Sequence, residues 1–407
     1  MSTGTDRLIA YPEERALEDT AYGMGLTPTL LFAVLFPVWS VEVQADVTEG
    51  EPYELIDRYL TLALAQTGLG TAAELADLLS LEPVLVERAL RFLRAIGHLD
   101  VTDDRYSLTE LGFRSAKDRV RYVVTREDRR KLYFDAFRSR PLTRPYYESR
   151  TVSLLSPAEA LTGTGGRGPR FQLLTSLYGF DPRAIASLAA HPERDRFNLP
   201  ERIDAPRMTQ EPELRYLPMY LVRAVTDDGS PRLLAYTQLG ATADEDIGRL
   251  WTQTPELGPV VDNEVREVLG AADGTRLQEW LRRNNLGGCR PERRGNGTWR
   301  VAVPADAFGR GDRNGVLPLS KLGSFVMQGS SFFHVWCRDE HTRRRALLER
   351  ADAYLGPRSR VDWDDAEKYV AQLGRQLELG EVDLGMLRTM AQRAGRRGLA
   401  AQLSRRR

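Results

Sequence analysis

"LSLEPVLVERALRFLRAIGHLD", residues 79–100, decides how the N-terminal part of this chain reads. Pro83 suits the first turn of a helix, where a missing N–H costs nothing. Val86, Leu90, Leu93 and Ile96 then recur at helical spacing as a buried stripe, and Gly97 stops the helix. Upstream, "GTAAELADLLSL" offers Thr71 as an N-cap with Glu74 three residues on, a capping box ahead of Leu75, Leu78 and Leu79. Further upstream, "EPYELIDRYLTLALAQTG" has Leu55, Tyr59, Leu62 and Ala63 on one face and Gly68 after its end. Downstream, "HLDVTDDRYSLTELG" supplies two short strands, Leu99–Thr102 and Tyr106–Leu108, around Asp103-Asp104, and then Thr109 as the cap of another helix.

Helix, helix, turn, helix, β-wing, helix is the order of a winged helix-turn-helix. On "TAAELADLLSLEPVLVERALRFLRAIGHL" together with "RYSLTELG", residues 51–118 resemble that superfamily, particularly its MarR- and ArsR-like members. The resemblance implies a fold used either to read DNA or as a scaffold. A reading helix presents its N-terminal residues to base edges, yet this one opens with Leu81, Glu82, Pro83, Val84 and Leu85. Arg88, Arg91 and Arg94 come from its middle and last turns. Residues 51–118 hold seven basic and twelve acidic side chains, the wrong sign for phosphate, and the wing tip sets Asp103 and Asp104 against Arg105 alone. Scaffold or protein-interaction use is therefore the leading reading.

Positive charge gathers elsewhere. Residues 119–150 carry ten basic and four acidic side chains, with Tyr122, Tyr133, Phe134, Phe137, Tyr146 and Tyr147 among them. "RYVV" and "KLYFDAF" read as the strands of a hairpin around the turn "TRED", which places Arg126, Arg129, Arg130 and Lys131 on a candidate nucleic-acid surface. From Arg388 onward there are seven arginines and no acid, so Arg393, Arg396 and Arg397 read as part of a flexible basic tail.

At 407 residues, with 42% hydrophobic and 28% charged side chains, the chain is a folded protein of two or three domains. Basic and acidic residues balance at 57 each, so no global field draws it to nucleic acid or membrane. Only four basic residues are lysines, the mark of a GC-rich bacterial coding composition. Two cysteines, Cys289 and Cys337, fit a reducing compartment, and the N-terminus lacks a signal-peptide pattern, so a cytoplasmic location is expected. The apolar run 26–39 contains Pro28 and Pro37 and falls short of the roughly 20 residues of a membrane span. It reads as buried core, continuing into the half-buried strand "VWSVEV".

No motif carries catalytic chemistry. "GTGGRG" (163–168) matches a dinucleotide fingerprint as a string, but no strand precedes it and Pro169 follows, so it reads as a linker. His334, Cys337 and His341 lack the close pairing of a zinc site. The acids at Asp244-Glu245-Asp246 and Asp362-Asp364-Asp365 precede helices and suit their dipoles.

The expected architecture is α+β: an N-terminal strand or extension (1–50), a winged helix (51–118), an appended basic β-hairpin (119–160), a Gly-rich linker (161–170), a second α+β domain (171–356) and C-terminal helices ending in a basic tail (357–407). The "DDG" at 227–229 marks a second hairpin within 217–239. The expected role is a non-enzymatic adaptor or sensor subunit of a bacterial multi-protein system of the antiviral-defence kind. It would bind no cofactor or metal. Its partners would be other protein subunits, with nucleic acid reached through hairpin and tail, and no membrane. The alternatives are a DNA-binding transcriptional regulator with a C-terminal ligand or dimerisation domain, and a nuclease-type enzyme whose site no motif reveals, which metal-dependent turnover abolished by Asp244→Ala or Asp364→Ala would favour.

Overall fold

A computed structural model describes residues 8–162, 170–200, 202–270, 275–295, 298–309, 317–356 and 361–404. The glycine-rich 163–168 lies outside the described residues. The chain is mixed α and β and forms two compact units, Val38–Glu148 with Tyr178–Leu214, and Met1–Pro37 with Ser149–Leu177 and Arg215–Arg407. These interleave along the sequence rather than following it in linear blocks. The cause is one strand that belongs to both.

After helix α1 (Glu13–Glu18) and a single π-helical turn, Asp19–Gly23, the chain extends into strand β1 (Thr27–Glu51), 25 residues long. Its first half, Leu30 to Val38, is buried without interruption, as in strands covered on both faces. Its second half alternates, with Val41, Val43, Ala45 and Val47 buried and Glu42, Gln44 and Asp46 less so.

In the unit that begins at Val38, β1 leads into α2 (Leu55–Thr67), α3 (Ala72–Leu79) and α4 (Pro83–Ala95). A two-stranded hairpin follows, β2 (Leu99–Thr102) and β3 (Arg105–Leu108), and then α5 (Glu110–Asp118). Thr71 and Glu74 form the capping box: the Thr71 hydroxyl accepts from Glu74 N at 3.3 Å and the Glu74 carboxylate from Thr71 N at 2.9 Å. Asp103 and Asp104 both take positive φ, the two-residue turn that matches strand twist. Leu60, Leu75, Val86, Leu90, Leu93 and Leu99 close a common core.

The expected hairpin in 119–160 is not formed. Residues 121–135 are one strand, β4 (Arg121–Asp135), antiparallel to β1 from Val38↔Asp135 to Glu51↔Arg121. "TRED" is a bulge within it: the register slips between Ala45 and Val47, Glu127 takes φ +54°, and its N–H donates to Asp46 Oδ1 at 2.9 Å. A partner as long as β1 offers the whole segment a continuous ladder, and Asp46 satisfies the amide that the bulge frees. The strand Arg202–Met208 takes the other edge of this part of β1. Helix Arg183–Ala189 lends Ile185 and Leu188 to a core with Val41, Val43, Leu132 and Phe134.

In the other unit, the early part of β1 pairs in parallel with Phe171–Leu173, and the sheet continues through Glu213–Val225 and Pro231–Tyr236. Those two strands form the hairpin read at 217–239, with Gly229 at φ +85° in its turn. A second sheet, ordered 325–328, 331–336, 299–302, 291–293, packs with helices Glu340–Leu355, Trp363–Gln376, Leu384–Arg393 and Arg397–Ser404 around one core. The C-terminus is therefore not a free tail through Ser404. Leu399, Ala400 and Leu403 are buried, because the apolar residues between the arginines recur at helical spacing.

Among the described residues, no helix is long and apolar enough to cross a membrane. Gly112 tests the packing of α5 most sharply, since a Cβ there would meet His98 O at 2.1 Å, whereas one at Gly287 would meet nothing within 4 Å. Gly112→Ala is expected to destabilise the protein by about 1–3 kcal/mol in chemical denaturation, and Gly287→Ala by no more than about 0.5 kcal/mol.

Candidate functional site

Three sets of basic residues stood out from the sequence, and the structure treats each differently. On α4, Val86, Leu90 and Leu93 face the core, so Val84, Arg88 and Arg91 share the opposite, solvent-facing side, with Leu85 and Phe92 on one flank and Arg94 on the other. Arg88, Arg91 and Arg94 are exposed and make no ion pair or side-chain hydrogen bond among the described residues. Arg105 is committed: it lies 3.8 Å from Glu74 and donates to Gly68 O at 3.3 Å. The backbone amides of Thr71 and Gly70 hold the Glu74 carboxyl down near 2, so this partner stays charged. The β2–β3 turn thus presents Asp103 and Asp104 beside an Arg105 already engaged.

The β4 set is neutralised by its neighbour. Arg130 pairs with Asp128 at 2.6 Å and with Glu49, Arg129 lies 3.8 Å from Glu42, and Arg121 bonds Glu51 at 2.6 Å and approaches Asp57 at 3.7 Å. Lys131 is exposed and unpaired among the described residues, and the side chain of Arg126 lies outside them. Tyr133 stacks on Tyr147 at 4.9 Å, and Phe134 meets Phe180 at 5.1 Å within the core. Tyr133, Tyr147 and Phe134 are thus engaged in packing. Of the C-terminal set, Arg396 bonds Asp352 at 3.2 Å, while Arg393 ends one helix and Arg397 opens the next, both exposed.

Sequence periodicity missed the exposed apolar residues of helices α2 to α5. On α2 the face of Leu55, Tyr59 and Leu62 points to solvent, Leu55 being 68% exposed, and the buried face is Asp57, Leu60, Thr61 and Ala63. Leu78 on α3, Val84 (71% exposed), Leu85 and Phe92 on α4 and Phe113 on α5 are exposed as well. Leu60 and Ala63 set the inward face of α2, and Asp57 goes inward with them, towards Arg121 of β4. Burial, aided by Glu54, raises its carboxyl above the usual range against the pull of Arg121. Arg121 also lies over the Phe92 ring at 5.3 Å, and His98 Nε2 meets Tyr122 O at 2.6 Å, so the start of β4 is bound to this block by polar groups.

The unit containing α1 holds a buried polar network that no motif announced. Glu18 accepts from Ser324 at 2.9 Å, Gln376 at 3.0 Å and Arg15 at 3.3 Å. His334 Nε2 lies 2.9 Å from the Tyr22 hydroxyl and 3.0 Å from Gly323 O, and Cys337 is buried nearby in sequence. Apart from His334 Nδ1, which is buried without a partner, the network's polar groups are bonded, and it fastens the N-terminal segment to strand and helices. The acids read from the sequence are caps: Asp244 accepts from Ile247 N at 3.0 Å, and Asp362 from Asp364 N at 3.0 Å. Among the described residues, no group of three or more His, Cys, Asp and Glu side chains could hold a metal ion.

No known protein family, characterised protein or solved structure matches this chain. The functional reading therefore rests on its own side chains.

Burial, reinforced by Arg300 and Arg294, lowers the His334 pKa from its ordinary 6.5 to about 3. Between those values the unfolded chain binds a proton that the folded chain refuses. The contribution is thus fully present above pH 6.5 and is lost as pH falls towards 3. His334→Gln should flatten the dependence of stability on pH in that window by up to about 1.4 kcal/mol per pH unit, as read by denaturation at several pH values.

Proposed function

We propose that residues 51–118 form a winged helix that docks onto a protein, and that the chain is a non-enzymatic adaptor or sensor subunit of a bacterial multi-protein assembly. The observation that carries this reading is the outer side of α4. There Val84, Leu85 and Phe92 stand exposed beside three unpaired arginines, within a block whose formal charge is negative. Monomeric proteins rarely leave large apolar side chains so concentrated in the open, and apolar contacts ringed by arginine are the composition of interface centres. Phosphate binding by the same helix is opposed by Asp103, Asp104, Glu82 and Glu87 around it.

Sequence-specific DNA reading is the second interpretation, favoured by the free state of Arg88, Arg91 and Arg94. Fluorescence anisotropy on duplex DNA, single-stranded DNA and RNA across a salt series separates the two. The docking reading predicts only non-specific binding, no tighter than about 10⁻⁶ M at physiological salt. Tight, sequence-dependent duplex binding that Arg88→Ala/Arg91→Ala abolishes would overturn it. A photo-crosslinking side chain at Val84 should, in the native host, join the protein to one discrete partner, and Leu85→Asp should weaken that association at least about tenfold.

A further inference from the structure

In the unit that does not contain α4, three arginines from separate elements converge on one residue. Arg294 follows the strand Pro291–Arg293, Arg300 lies in the strand Trp299–Ala302 and Arg343 in the helix Glu340–Leu355. Glu378, at φ +46° beyond the helix Trp363–Gln376, receives all three. Its carboxylate accepts from Arg294 at 3.2 Å and from Arg300, and its backbone carbonyl accepts from Arg343 Nη1 at 2.8 Å. Arg343 Nη1 also donates to Leu377 O at 3.0 Å.

The indole of Trp336, only 5% exposed, supports two of these groups, with the Arg300 and Arg343 guanidinium carbons 4.3 and 4.8 Å from its centroid. Two of the three positive charges thus share a single carboxylate, and the third bonds only backbone carbonyls beside it. A low-dielectric surface beneath them strengthens both their mutual repulsion and their attraction for an anion. Arg294 Nη1, Arg300 Nη1 and Arg343 Nη2 have no hydrogen-bond partner among the described residues. The Nε atoms of Arg300 and Arg343 are buried without one. Such half-satisfied guanidinium groups are what a multiply charged oxyanion completes, since each phosphate oxygen takes charge-assisted bonds from arginine. The field already reaches inward, with Arg300 and Arg294 both helping to keep His334 neutral.

The geometry points to an anion seat at Arg294, Arg300 and Arg343 for a small phosphate-bearing ligand. Glu378 holds the arginines in its absence and, being 41% exposed, swings out to solvent when the ligand binds. Trp336 is itself covered, so its ring face is not open to a base. The phosphate group alone sets the affinity, whether it arrives as a free ion or on a nucleotide.

The test is calorimetric titration of the full chain at fixed ionic strength with pyrophosphate, inorganic phosphate and a nucleoside diphosphate. One saturable site is expected, tighter for pyrophosphate than for phosphate and equal for pyrophosphate and the nucleoside diphosphate. Arg294 is 38% exposed, so Arg294→Ala should keep the wild-type melting temperature while weakening binding about tenfold. Glu378→Gln, which removes the internal competitor, should tighten it several-fold. Absence of saturable binding, binding unchanged in Arg294→Ala, or a nucleoside diphosphate bound markedly tighter than pyrophosphate would each sink the proposal.

Discussion

Every N–H and C=O along a buried strand must find a partner, and β1 is a strand of 25 residues buried without interruption from Leu30 to Val38. That demand organises both units. Along Val38–Glu51 it draws β4 to one edge and Arg202–Met208 to the other. Along Ala33–Leu35 it draws Phe171–Leu173 alongside. Pro37, which has no N–H to give, is the last residue of β1 in one unit, and Val38 is the first in the other.

The same pairing rewrites the electrostatics. β1 carries Glu42, Asp46, Glu49 and Glu51, and the antiparallel register sets them beside the basic residues of β4. Arg121, Arg129 and Arg130 consequently act as cross-strand partners for carboxylates, a modest stabilising role at a solvent-facing edge. Charged side chains along β4, an outer strand of its sheet, also discourage pairing with another chain. Charge density along a sequence is therefore a poor guide to charge available for binding. The α4 arginines, fewer in number, make no ion pair among the described residues, and neither does Lys131.

Elements governed by near neighbours were legible from residue types. The Thr71–Glu74 box, the α4 stripe of Val86, Leu90 and Leu93, the Asp103-Asp104 turn and the hairpin closed by Gly229 all depend on spacings of a few residues. Readings that depended on distant partners fared differently. A period of three to four residues identified α2 but not its inward side. The apolar stripe Leu55–Tyr59–Leu62 faces water because the opposite face, with Leu60 and Ala63, packs into the core shared with α3 and α4, carrying Asp57 inward beside Arg121 of β4. "TRED" has the composition of a turn and forms a bulge because a complete partner strand lay beside it.

Sequence by itself determined the mixed α and β character, the order of helices and hairpin across residues 55–118, and the place of the acids around Asp244 and Asp362 at the starts of helices. These follow from local backbone and capping energetics, which act within one or two turns of chain. Tertiary structure alone decided which arginines are free, which apolar stripe is exposed and that Arg294, Arg300 and Arg343 meet at Glu378. Each of those outcomes is a long-range juxtaposition. Coulomb attraction, burial and strand pairing act on distance in space, which a linear spacing does not encode.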